Sequence, residues 1–155
     1  MLNHLRSHLS GKAVILGIGN TLGSDDGAGS ILASRIKDRV SYTVYDAGSS
    51  PENYLGKIIK DKPDNIIIID VVDFGARPGD YTVLEGQSIK TANLFSTHNA
   101  SISLTIHYLQ NNLQADIIVL AIQPKTLDFG DKVSQEVEGA ISKLEDWFCD
   151  AEKKG

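Results

Sequence analysis

Three aspartate positions and one histidine are the residues of this chain best placed to do chemistry together. Asp25 or Asp26 follows the apolar run Ala13-Val14-Ile15-Leu16, Asp46 closes a run ending at Tyr45, and Asp70 closes Ile66-Ile67-Ile68-Ile69. His98 lies in Thr97-His98-Asn99, just ahead of a segment with helical spacing. Two carboxylates and an imidazole make a mixed oxygen/oxygen/nitrogen set that suits a borderline divalent ion such as nickel or zinc, with coordination positions left open. Residues so far apart along the chain have no diagnostic period. The fold must bring them together.

The elements that would do so are legible. Ala13 to Leu16 is short, wholly apolar and stops at Gly17, as a strand buried on both faces does. Gly17-Ile18-Gly19-Asn20 makes a tight turn, and Asp25-Asp26 open an amphipathic helix with Ala28, Ile31, Leu32, Ile36 and Val40 on its apolar side. Tyr42 to Tyr45 reads as a second strand, and Pro51 suits the first position of a helix capped by Ser50. Lys62-Pro63-Asp64 ends that helix, and the four isoleucines from Ile66 form the strongest strand signal. Tyr81 to Glu85 alternates, and it follows too closely for a helical crossover, so it is expected to run antiparallel at an edge. A loop over residues 86–96, a helix after Asn99, a strand at Ile117 to Ala121 and a long helix from Ser134 complete the chain. The expected architecture is a three-layer α/β/α sandwich, with a five-stranded, mostly parallel sheet and one antiparallel edge strand.

Composition narrows the function classes. The 155 residues fit one domain spanning 1–155, with 1–12 and 151–155 expected as mobile ends. A net charge of −5 without a basic cluster argues against nucleic acid as a partner. No apolar run approaches the roughly 20 residues that cross a bilayer, and the N-terminus lacks the apolar core of a signal peptide. One cysteine, Cys149, gives no reason to invoke an oxidising compartment, and beside Trp147 and Phe148 it reads as a core residue. A cytoplasmic soluble protein without membrane insertion is expected.

Plainer readings exist for each candidate. Asp25 and Asp26 could complement a helix macrodipole, and Asp46 and Asp70 could be ordinary strand-end turn acids. His98 could be a hydrogen-bonded loop histidine, His107 reads as structural or exposed, and His4 and His8 receive no role. Two other functions also compete. Gly17-x-Gly19 after a strand, with Asp46 ending the next, hints at dinucleotide binding. Position 22 is leucine, however, where the third glycine belongs, and two acids would oppose a pyrophosphate. A receiver-type phospho-acceptor would use Asp25-Asp26, Asp70 and Lys125, but Pro124-Lys125 reverses the usual order.

As a set, GIGNTLGSDDGAG, DAGSSPEN, IIIIDVVDFG, THN and LAIQP resemble, in that order, the hydrogenase maturation endopeptidases, and they look most like the HycI branch. The resemblance runs from about Ala13 to about Pro124. It implies that Asp26, Asp70 and His98 form a metal-binding site, with Asp at the first position as in the HycI branch. It also implies a cytoplasmic protease that removes a C-terminal extension from a [NiFe] hydrogenase large-subunit precursor after nickel insertion. The nickel would then be carried by the precursor, and Asp26 and Asp70 are the candidates for catalysis. Asp46, Gly48 and Ser49, with Thr97 and Asn99, are implied in substrate recognition, although Ala47 stands where a second glycine is common. Whether metal polarises the scissile carbonyl or a carboxylate acts as general base stays open in the sequence.

Overall fold

The computed structural model describes residues 2–85, 89 and 99–154. Five strands, β1 (Ala13–Gly17), β2 (Thr43–Asp46), β3 (Asn65–Val71), β4 (Tyr81–Glu85) and β5 (Asp116–Ile122), form one sheet in the order β2-β1-β3-β5-β4. All neighbours are parallel except β4, which pairs antiparallel with β5 at the edge, as the sequence predicts. The helices are α1 (Leu2–Ser7), α2 (Ala28–Ile36), α3 (Leu55–Asp61), α4 (Asn99–Asn112) and α5 (Gln135–Lys154).

The isoleucine run explains the layering. Successive strand side chains point to opposite faces. Ile67, Ile69 and Val71 therefore join a core with Leu32 and Ile36 of α2 and Val137, Ile141, Leu144 and Phe148 of α5. Ile66 and Ile68 join a second core with Ile58 of α3 and Ile102, Ile106 and Leu109 of α4. Every one of the four isoleucines is fully buried, each worth about 1.5–3 kcal/mol. The α2 crossover steps from β1 outward to β2, whereas α3 steps back across β1 to β3. Right-handed connections then require α2 and α3 on opposite faces, as found.

Several boundaries differ from expectation. The acids after β1 lie in a 3-10 turn, Ser24–Gly27, and α2 begins only at Ala28. Pro51 likewise starts a 3-10 turn, Pro51–Asn53, and Ser50 makes no side-chain cap. Lys62 does end α3, taking the left-handed cap conformation at φ 51° ahead of Pro63. The N-terminal segment 1–12, expected as a mobile end, instead carries α1, whose Leu5 is fully buried and is followed by buried Leu9. At the other end α5 continues through Lys154, and Ala151 is buried in the core. Both corrections have one cause: a few apolar residues in a polar stretch look like noise until a partner surface exists. Cys149 is buried, as expected. Among the described residues no helix is long and apolar enough to cross a membrane. The expected loop over 86–96 lies outside the described residues apart from Ile89.

One contact makes folding sensitive to alkali. The Tyr45 hydroxyl at the end of β2 donates to Asp61 Oδ2 of α3 at 2.7 Å. Burial, and then the Asp61 carboxylate, push the phenol up to about 12. A raised folded-state pKa contributes stability that is complete below the ordinary phenol value near 10 and disappears as pH climbs toward 12. Urea midpoints measured from pH 9 to 12 should therefore fall more steeply for the native chain than for Tyr45→Phe. Parallel curves would show that this contact contributes nothing.

Candidate active site

The topology fixes where a site belongs. Chain direction reverses around β1, which lies between β2 and β3, so a crevice opens at the carboxyl ends of β1 and β3. Gly17 pairs with Ile69, and Ile18 N–H donates to the Ile69 carbonyl at 2.9 Å, which locks the two strand ends together. The 3-10 turn and α2 sit directly on this junction. A Cβ on Gly29 would collide with the carbonyl oxygens of Ile18 and Ile69, and one on Gly17 would collide with Ala33 and the Gly29 carbonyl. Glycine is needed here for closeness, not for unusual torsions. The result puts Asp25 and Asp26 at the same rim as Asp70, the residue after Ile69.

The two neighbouring acids have separate tasks. Asp25 is fully buried, and its carboxylate accepts from Lys125 N–H (2.8 Å), Thr126 N–H (3.1 Å), Ser134 N–H (2.6 Å) and Ser134 Oγ (2.9 Å). It clamps the segment between β5 and α5 onto the turn. Asp26 is 5% exposed, and its side chain lies against Gly23, where an added Cβ would stand 3.0 Å from the Asp26 Cβ. Its backbone closes the turn, with Asp26 N–H donating to Gly23 and its carbonyl accepting from Asn20. The N-cap positions of the 3-10 turn and of α2 are the glycines Gly23 and Gly27, which have no side chain to cap with.

Asp70 is fully buried inside β3, and its Oδ1 accepts the Val71 N–H at 2.7 Å. Alternation puts it on the face of Ile66 and Ile68, the side covered by α3 and α4. The strand extends past it to Val71 because β5 continues alongside to Ile122. Gln123, a member of the LAIQP run with no role assigned from sequence, holds the following loop. Its Oε1 accepts from Phe74 N–H (2.9 Å) and Ala76 N–H (3.1 Å), and its Nε2 donates to Asp73 Oδ1 (3.0 Å). A glutamine at a strand end before proline was the available signal.

Asp46 also reaches the rim, but its Oδ1 is engaged within the chain. It accepts a short hydrogen bond from Ser30 Oγ of α2 and one from Gly48 N–H at 3.2 Å. Gly48 adopts φ 56°, and its carbonyl accepts from Gly19 N–H at 2.8 Å, so this turn is tied to the glycine loop. Ser49 beside it is exposed. Thr97 and His98 lie outside the described residues, and Asn99 is the first residue of α4. His107 is exposed, with Asn111 Nδ2 3.2 Å from its Nε2. Lys125, the residue a receiver would aim at its phospho-acceptor, instead pairs with Glu136 at 2.9 Å.

Fold and rim together define an α/β/α protein with paired buried carboxylates at the switch point of its sheet. Relatives of that class are found. The HycI hydrogenase maturation protease family matches residues 28–151. The hydrogenase 3 maturation protease of Escherichia coli K12 is 31% identical over 140 residues, covering 86% of this chain and 89% of that protein. The crystal structure of the [NiFe] hydrogenase maturation protease HycI from Thermococcus kodakarensis KOD1 superposes with a TM-score of 0.85 at 28% identity, covering 97% and 99% of the two chains. The solution structure of the endopeptidase HycI from Escherichia coli gives 0.79 at 29% identity and 90% coverage of each.

The chain belongs to the HycI family of hydrogenase maturation proteases, and it is a peptidase. The dinucleotide-binding and receiver readings find no support among these relatives.

Proposed function

We propose that this endopeptidase removes the C-terminal extension of a [NiFe] hydrogenase large-subunit precursor after nickel has been inserted, and that Asp26, Asp70 and His98 read the nickel carried by that substrate. The observation behind the reading is the burial of Asp26 and Asp70 at one rim, Asp26 in the 3-10 turn that follows β1 and Asp70 near the end of β3, the two strands that flank the switch point. His98 precedes α4 directly in the chain, and Ile102 of α4 packs in the same core as Ile68 and Val72 around Asp70. Two carboxylates and an imidazole without a thiolate would hold a borderline ion only modestly, which suits a metal that must leave with its substrate.

Catalysis is assigned to the same pair of acids. One carboxylate orients the nickel-bearing C-terminus, and the other takes the proton of the attacking water. Asp46, Gly48 and Ser49, together with Thr97 and Asn99, would recognise the extension. The tie between Gly48 and Gly19 supports this, because it fixes the exposed Ser49 turn to the site loop. In this reading the enzyme works in the cytoplasm as a monomer facing a larger partner, with no organic cofactor.

Incubating the chain with candidate precursors, loaded with nickel or free of it, and weighing their C-termini by mass spectrometry tests the proposal. Only the loaded precursor should be shortened. Equal trimming of the nickel-free form would remove the sensing role, and no trimming of any hydrogenase precursor would remove the substrate.

A further inference from the structure

His4 and His8 stand at the end of the sheet away from the candidate active site. His4 lies in α1 and His8 in the turn directly after it, where the His8 N–H donates to the Leu5 carbonyl at 3.0 Å. Buried Leu5 and Leu9 dock this segment and fix its direction. It meets Glu85, the last residue of edge strand β4. His4 Nε2 is 2.8 Å from Glu85 Oε1, His8 Nε2 is 3.8 Å from Glu85 Oε2, and one donor atom from each residue lies within 4.8 Å of the others. Glu85 pairs with Ile118 near the start of β5, whereas Asp70 pairs with Ala121 near its finish. The two clusters are on opposite rims.

The protons favour a cation. His8 is buried, and its Nδ1 lies 3.2 Å from the His4 carbonyl, an atom that can only accept. Nδ1 therefore carries the hydrogen, and in a neutral ring Nε2 presents a lone pair on the side of a carboxylate. Such an approach is repulsive unless a positive charge lies between them. The backbone bond to Nδ1 is also the arrangement that orients a metal-ligating histidine from behind.

We propose that His4, His8 and Glu85 bind a divalent transition ion of the zinc type, clipping α1 to β4. Bonds of about 2.0–2.2 Å in a tetrahedral site place donors roughly 3.3–3.5 Å apart. The two histidines approach different oxygens of Glu85, at 2.8 and 3.8 Å, and one donor atom from each of the three residues lies within 4.8 Å of the others, so side-chain rotation would bring them to that spacing. The cluster borders a cleft of about 510 Å³ that Gln110 and Asp116 also line, leaving room for a water as fourth ligand. A six-residue helix is marginal alone, and a metal bridge would hold it against the sheet.

The test uses the tag-free 155-residue chain carrying Asp26→Ala and His98→Ala, which removes two of the three other candidate ligands. Cobalt titration should give one equivalent bound with a four-coordinate visible band, displaced by zinc, and zinc should raise Tm. Adding His4→Ala or Glu85→Gln, both at half-exposed positions, should weaken zinc binding at least tenfold and abolish the Tm shift. Zinc affinity unchanged by both substitutions, or no cobalt band, overturns the proposal and leaves a proton as the shared cation.

Discussion

Asp26→Ala is expected to yield a folded protein that no longer trims a nickel-loaded precursor, with the rate down by about 100-fold or more. Loss of an outer-sphere partner already costs metal sites roughly 10–100-fold, so if Asp26 has the proposed ligand role its removal should cost at least the upper value. Its neighbour should behave in the opposite way. Asp25→Ala strands the amides of Lys125, Thr126 and Ser134 that converge on the carboxylate. Hydrogen bonds to a charged group contribute about 1.5–3 kcal/mol each, and abandoned buried donors add a penalty. Non-additivity keeps the sum near about 3 kcal/mol, a fall in Tm of roughly 6–12 °C at this size. Trimming assays paired with calorimetry separate the two effects. Full trimming by Asp26→Ala would end the metal-reading role, and an unchanged Tm for Asp25→Ala would end the clamp.

The second large effect concerns Gly29. An alanine there drives a methyl group into the carbonyl oxygens of Ile18 and Ile69, both backbone atoms of the strand junction. Neither can turn aside as a side chain would. Relief requires α2 to lift from the sheet, which also pulls Asp25 and Asp26 away from Asp70. Overpacking commonly costs about 1–3 kcal/mol, and a clash with two sheet carbonyls belongs at or above the top of that range. Gly139→Ala in α5 meets nothing within 4 Å and should be neutral or slightly stabilising through helix propensity. Urea unfolding of both variants checks the contrast. Equal stability would mean that α2 does not sit tightly on the strand ends.

The sequence by itself determined the sheet and its layers, because patterns that decide them are local. Ile66 to Ile69 could only be buried on both faces, alternation in Tyr81 to Glu85 could only suit an edge, and Val137, Ile141, Leu144 and Phe148 mark one side of α5. Once strands alternate with helices, handedness leaves few arrangements, and Asp26 and Asp70 fall on one rim. What only the tertiary structure decided are pairings across long stretches of chain. Asp25 and Asp26 are the same residue type side by side, and partners about 100 residues onward, at Lys125 and Ser134, distinguish the clamp from the acid beside Gly23. Leu5 found a core and His4 found Glu85, 81 residues away, only when β4 reached the edge of the sheet. Hydrogen bonds act over about 3 Å and carry no trace in sequence spacing, so they become legible only after packing has brought their ends together.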